Sequence, residues 1–164
     1  MQKLLLFFVA ISVATITTAQ IDVFTIIGKK RDEFDQKFGF GGFLKISNYV
    51  NNEADEITAE LAIIGLDGYL LGFVPIKAGY RYTLNRTGYG FYLEPQAGYA
   101  FGTDYDEKAS GFVGSGNLGF LFQPLGGVRF DLALRFENIF TKLGTYSFIG
   151  IRLSHNFSLR RRSE

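Results

Sequence analysis

The sequence predicts an all-β fold: a single antiparallel up-and-down transmembrane β-barrel of eight strands. Three observations predict it. Segments with one apolar and one polar face at a period of two residues recur along the chain. The first 19 residues read as an export signal. Beyond them no apolar run approaches the roughly 20 residues that a membrane helix needs, so a spanning chain has only a closed barrel left to it.

The clearest strand is Val128 to Glu137, with Val128, Phe130, Leu132, Leu134 and Phe136 on one face and Arg129, Asp131, Ala133, Arg135 and Glu137 on the other. A helix would mix the two sets, because its neighbours recur every 3.6 residues. Ahead of it, Lys3 opens a leader whose apolar run extends from Leu4 to Ile16, and Thr17-Thr18-Ala19 supplies the small residues of a cleavage site before Gln20. The domain division is therefore 1–19 as signal peptide and 20–164 as barrel. Losing Lys3 with the leader takes the 17 basic residues to 16, level with the 16 acidic ones, so charge gives no sign of a nucleic-acid partner. The absence of Cys excludes disulfides and attachment of lipid through Cys. Only three Pro, but 20 Gly and 18 Phe, suit strands with close backbones and an aromatic surface.

In chain order, Ile21 to Lys29 is a strand with weak alternation, followed by a charged loop through Glu33. Lys37 to Ser47 sets Phe38, Phe40, Leu44 and Ile46 against Lys37, Gly39, Gly41, Lys45 and Ser47, with Phe43 as the exception. Asn51 to Glu56 reads as a polar connection. Ile57 to Leu66 has Leu61 and Ile63 opposite Thr58 and Glu60, then turns apolar on both faces, and Asp67 to Val74 is ambiguous between loop and strand. From Pro75, Ile76, Ala78, Tyr80, Tyr82 and Leu84 oppose Lys77, Gly79, Arg81 and Thr83. A tight turn at Asn85 to Gly88 leads to Gly90–Gly102, where Glu94 and Gln96 share a face with Tyr92. Closing that hairpin with Asn85 opposite Gly88 sets Arg81 across from Tyr92 and makes Arg81 and Glu94 diagonal neighbours. After the polar loop 103–110, Phe112 to Gln123 is a glycine-rich strand. Matching its apolar face to the next strand demands an odd loop, met by Leu125-Gly126-Gly127. The last strand sets Ile151, Leu153, His155 and Phe157 against Arg152, Ser154 and Asn156.

Strands of this kind joined by alternating short and long connections are the pattern of outer-membrane barrels. On that pattern the connections 50–56, 85–88 and 124–127 face the periplasm, and 103–110 and 138–146 are outer loops open to a surface partner. The stretch 50–56 is longer than a periplasmic turn should be. The chain also resembles the small outer-membrane β-barrel family of Gram-negative bacteria, of the OmpX-like and OmpA-membrane-domain type. The resemblance rests on Pro75-Ile76-Lys77-Ala78-Gly79-Tyr80-Arg81-Tyr82, Leu93-Glu94-Pro95-Gln96-Ala97-Gly98-Tyr99 and a last strand ending in Phe157. It implies location in the cell outer membrane after cleavage at Ala19–Gln20, the lipid bilayer and the barrel-assembly machinery as partners, and Phe157 as the insertion signal of the terminal strand.

The candidate functional residues are the polar faces. Lys77, Arg81, Glu94, Gln96, Arg129, Asp131, Arg135, Glu137 and Arg152 are expected to point into the lumen. Eight strands leave an interior with room only for side chains, so charges of both signs should neutralise one another there rather than line a pore. No catalytic, cofactor or metal residues are assigned. Ser154 beside His155 suggests a hydrolase pair, but adjacent strand residues point to opposite faces. Asp104, Asp106 and Glu107 lack the ligand spacing of a calcium loop, and Asn85-Arg86-Thr87 matches a glycosylation acceptor by chance. The expected function is a structural or surface-interaction barrel and not an enzyme. Its alternatives are a membrane-embedded lipid-modifying enzyme and a secreted lipocalin-like barrel, the last requiring the aromatic faces to turn inward.

Overall fold

The computed structural model describes residues 18–30, 37–50, 55–66, 72–85, 87–103, 110–122 and 129–158, with backbone alone at 18–30, 37, 38, 40, 66 and 156–158. The strands are β1 Thr18–Lys30, β2 Lys37–Val50, β3 Asp55–Leu66, β4 Gly72–Thr83, β5 Gly90–Gly102, β6 Gly111–Phe122, β7 Arg129–Thr141 and β8 Gly144–Ser158. Each pairs antiparallel with its neighbours in sequence, and β1 pairs with β8, so the sheet closes into an eight-stranded up-and-down barrel. Closure leaves no unpaired edge, the condition for placing a sheet in lipid. No helix among the described residues is long and apolar enough to cross a membrane.

Every strand for which side chains are described is turned inside out relative to a soluble protein. Along β3, Ile63 is 64% exposed on the outer wall while its neighbour Ile64 is 1% exposed inside. Along β7, Leu132, Leu134 and Phe136 face outward and Asp131, Arg135 and Glu137 are buried. At 12 to 15 residues, β2 to β8 exceed the roughly 9–11 that a tilted strand needs to span a bilayer. Aromatic rings tile the outer wall in contact across strands: Phe91 meets Phe120 edge to face at 4.8 Å, and Phe122 stacks on Phe130 at 5.7 Å.

The structure corrects several boundaries and one register. β1 begins at Thr18, two residues ahead of the expected cleavage point, instead of at Ile21. Asp55 and Glu56 belong to β3 rather than to a connection, because Val50 already pairs with Asp55. Asp55 is held in place by the Tyr80 hydroxyl, which donates to Oδ2 at 2.8 Å, and by the Thr83 N–H, which donates to Oδ1 at 3.3 Å. The link at that end shrinks to 51–54, so the overlong connection expected from the sequence disappears. β4 starts at Gly72, which resolves the ambiguous segment in favour of strand from that residue on.

The β4–β5 hairpin runs two residues out of the expected register. Tyr82 pairs with Leu93 and Gly79 with Gln96, and Leu84 N donates to Phe91 O at 2.9 Å. The turn is longer because Gly88 and Gly90 adopt φ of 73° and 91°, a left-handed pair that a four-residue closure at Asn85–Gly88 does not use. A slip of two keeps every side chain on its face. It also brings Arg81 level with Glu94. The β6–β7 pairing is the expected one, with Phe122 opposite Phe130 and Leu118 opposite Leu134.

The stretch 138–146 is not a loop. β7 runs to Thr141 and β8 starts at Gly144, joined by the Lys142–Leu143 turn. Thr141 Oγ1 accepts from Leu143 N at 3.1 Å and donates to Gly144 O at 2.9 Å, and Gly144 has φ of 134°. The expected contrast between short and long connections is therefore absent: 31–36, 67–71, 103–110 and 142–143 at one mouth are about as brief as 51–54, 84–89 and 123–128 at the other.

Gly119 marks a close approach inside the barrel. A Cβ there would lie 2.4 Å from the Tyr92 ring, which packs against the glycine across the β5–β6 pair. At Gly116, on the outer wall, a Cβ would meet no atom within 4 Å. Gly119→Val should therefore cost about 1–3 kcal/mol by overpacking, read as a lower urea midpoint of the refolded barrel. Gly116→Ala should leave that midpoint nearly unchanged, and equal losses at both sites would contradict the assigned facing.

Candidate functional site: the lumen

Alternation delivers side chains from β2 to β8 to the interior, and most of the described interior charged groups join into a continuous network. Glu94 is its hub. Its Oε2 accepts from Lys45 Nζ at 2.8 Å and from Arg81 Nε and Nη2 at 3.1 and 3.0 Å. Its Oε1 accepts from Thr58 Oγ1 and Gln96 Nε2, both at 2.9 Å. Arg81 Nη2 also donates to Asp131 Oδ2 at 2.8 Å, and the Tyr92 hydroxyl donates to Asp131 Oδ1 at 2.5 Å. The Arg81 guanidinium lies 4.0 Å over the Tyr92 ring, an arrangement that suits a weakly hydrated planar cation.

A second knot lies beside the first. Lys77 Nζ reaches Glu137 Oε2 at 2.5 Å and Glu60 Oε1 at 2.9 Å. Arg135 Nη2 meets the same two carboxylates, each at 2.6 Å. Arg152 links the knots, with Nη1 3.6 Å from Glu60 and Nη2 3.7 Å from Asp131. Gln96 Nε2 donates to Glu60 Oε2 at 3.2 Å as a further bridge. Charges buried this deeply are costly unless paired. Each of the five cations in these knots has a carboxylate oxygen within 3.6 Å.

Of the residues expected to face the lumen, Lys77, Arg81, Glu94, Gln96, Asp131, Arg135, Glu137 and Arg152 are thus buried and connected. Arg129 stands apart, half-buried at the mouth where β1 begins. Phe157 pairs with Ala19 in the closing seam, and its side chain lies outside the described residues. Asp104, Asp106 and Glu107 also lie outside them. Ser154 is buried inside the barrel, while His155 meets the outer Phe130 ring edge-on at 5.4 Å, so the two side chains occupy opposite faces.

Two features of the lumen go beyond the residues expected from the strand pattern. Lys45 and Glu60 are full members of the network, and their place on the polar faces of β2 and β3 is the signal that could have found them. The other is an apolar layer at the mouth opposite β1's start. Phe73, Val113, Ile139, Tyr146 and Phe148 are buried there, with the Phe73 ring 5.1 Å from Tyr146 and 6.1 Å from Phe148. Phe43, the exception to alternation in β2, is inside as well, 4.1 Å beneath the Arg152 guanidinium. An apolar residue at an inward position is invisible to a rule that equates apolar with outward.

No family model and no curated protein matches the sequence. Solved structures do match. Ail, the attachment invasion locus protein of Yersinia pestis, superposes with a TM-score of 0.60 at 14% identity, over 86% of this chain and 97% of Ail. Neisserial surface protein A (NspA) gives 0.63 at 12% identity, over 85% of this chain and 96% of NspA. The fold is that of the small outer-membrane β-barrels. Ail in complex with the heparin analogue sucrose octasulfate superposes with a TM-score of 0.53 at 14% identity.

Proposed function

We propose that the protein is an outer-membrane barrel with a structural or surface-interaction role, its lumen packed with side chains instead of open to solutes. The observation that carries this reading is the inversion of the barrel wall: Leu, Ile, Phe and Tyr exposed on the outside along β2 to β8, and paired charges within. A secreted ligand-binding barrel would need the reverse, so this facing favours the membrane reading over the lipocalin-like one. In the proposal the leader is removed at Ala19–Gln20, the terminal strand around Phe157 engages the assembly machinery, and a surface partner meets the 103–110 connection and the adjoining β7–β8 hairpin tip, where Lys142 and Leu143 are exposed. Nothing in this reading requires a catalytic group.

Two measurements test it. The purified mature protein should remain with membranes through salt and carbonate washing and migrate heat-modifiably on gels, whereas release into buffer as a monomer would sink the membrane reading. In planar bilayers it should give no stable large conductance, because the charged knots and the apolar layer occupy the interior that an aqueous channel would need. A reproducible nanosiemens-scale opening from the monomer would show the lumen to be hydrated and the non-porin reading wrong.

A further inference from the structure

Arg129 differs from the other described cations of the lumen in what it faces. It is the first residue of β7, on the inward face shared with Asp131 and Ala133. Its Nη1 donates to the Tyr49 hydroxyl, and its Nη2 donates to the Tyr89 hydroxyl at 2.8 Å. The guanidinium carbon stands 4.8 Å from the Tyr89 ring centre and 5.7 Å from that of Tyr49. Lys45, Lys77, Arg81, Arg135 and Arg152 each have a carboxylate partner. Among the described residues Arg129 has none.

The tyrosines sharpen the point. A phenol that accepts a hydrogen bond from Arg129 still has its own proton to donate. Neither hydroxyl donates to another described residue. Arg129 itself has five N–H donors, of which the two phenols take two. The cluster therefore gathers a positive charge and several donors not used between its members, with no carboxylate among the described residues to balance the charge, in a half-buried place where charge-assisted bonds gain strength.

We propose that Arg129, Tyr49 and Tyr89 form an oxyanion site at this mouth of the barrel, taking a phosphate or carboxylate group from the adjacent aqueous phase. Arg129 supplies the charge and the planar pair of donors that suits such a group, and the phenols complete the ring of donors. The bland counterpart is a clamp that only ties β2, the β4–β5 turn and β7 together.

The test uses the full mature barrel refolded in neutral detergent, with heat-modifiable migration as the check on folding. Titration calorimetry with inorganic phosphate should show saturable one-to-one binding, weakened roughly ten-fold or more in Arg129→Gln and partly retained in Arg129→Lys. The Tyr49→Phe/Tyr89→Phe double variant removes the hydroxyls but keeps the rings and the charge, so it carries the test if Arg129→Gln does not fold. It should weaken binding as well. Repeating the titration in vesicles of zwitterionic lipid, with and without anionic phospholipid, separates the two sources of the group: competition by the anionic lipid identifies a headgroup, and its absence a free oxyanion. No saturable phosphate binding, or binding equal in wild type and both types of variant, would overturn the proposal and leave a clamp.

Discussion

Glu94→Leu is expected to destabilise the barrel by about 3–5 kcal/mol, because it leaves buried cations without their counter-charge. Glu94 accepts from Lys45, Arg81, Thr58 and Gln96 at once. Removing it strands the Lys45 ammonium, since among the described residues Glu94 is the carboxylate paired with it, at 2.8 Å, whereas Arg81 keeps Asp131. The cost should appear in urea unfolding of the barrel refolded into lipid vesicles. The partner test is the double variant Lys45→Met/Glu94→Leu, which deletes both charges and should recover a large part of the loss. An isosteric apolar pair can replace a buried ion pair at little cost, while a lone buried charge cannot be tolerated so easily. If Glu94→Leu unfolds at the wild-type midpoint, the network is hydrated and the side-chain-filled lumen is wrong.

The second large effect belongs to the outer wall. Leu134 lies near the middle of β7, facing outward between Leu118 of β6 and Ile151 of β8. With this position at the bilayer midplane, Leu134→Arg should cost about 2–4 kcal/mol. Phe130 faces the same way but sits one residue from the start of β7, near the rim. Arginine there costs roughly 0–1 kcal/mol for its depth alone, to which loss of the ring contacts with Phe122 and His155 adds a little. The gradient from centre to rim is the diagnostic result, measured as the difference in vesicle unfolding free energy. Equal costs at the two depths would mean that this wall does not cross a bilayer.

The sequence alone determined which face of most strands is which. Period-two alternation is a local property: Val128 to Glu137 cannot be read any other way, and neither can Pro75 to Thr83 or Gly90 to Gly102. Parity narrowed the β6–β7 register to odd loops, and the glycine-bearing three-residue loop expected at Leu125-Gly126-Gly127 selected the observed pairing of Phe122 with Phe130. Parity could not set the β4–β5 register to better than two residues, because a slip of two conserves faces. Only the turn geometry at Gly88 and Gly90 decided that Arg81 stands level with Glu94. Inside and outside were likewise undecided, because alternation is unchanged when a barrel is turned inside out; closure of β1 on β8 with the apolar faces outward settled it. The apolar layer of Phe73, Tyr146 and Phe148, and Phe43 beneath Arg152, came from the tertiary structure too. Which aromatic rings lie inside depends on side chains arriving from strands distant in sequence, a contact that no local pattern encodes.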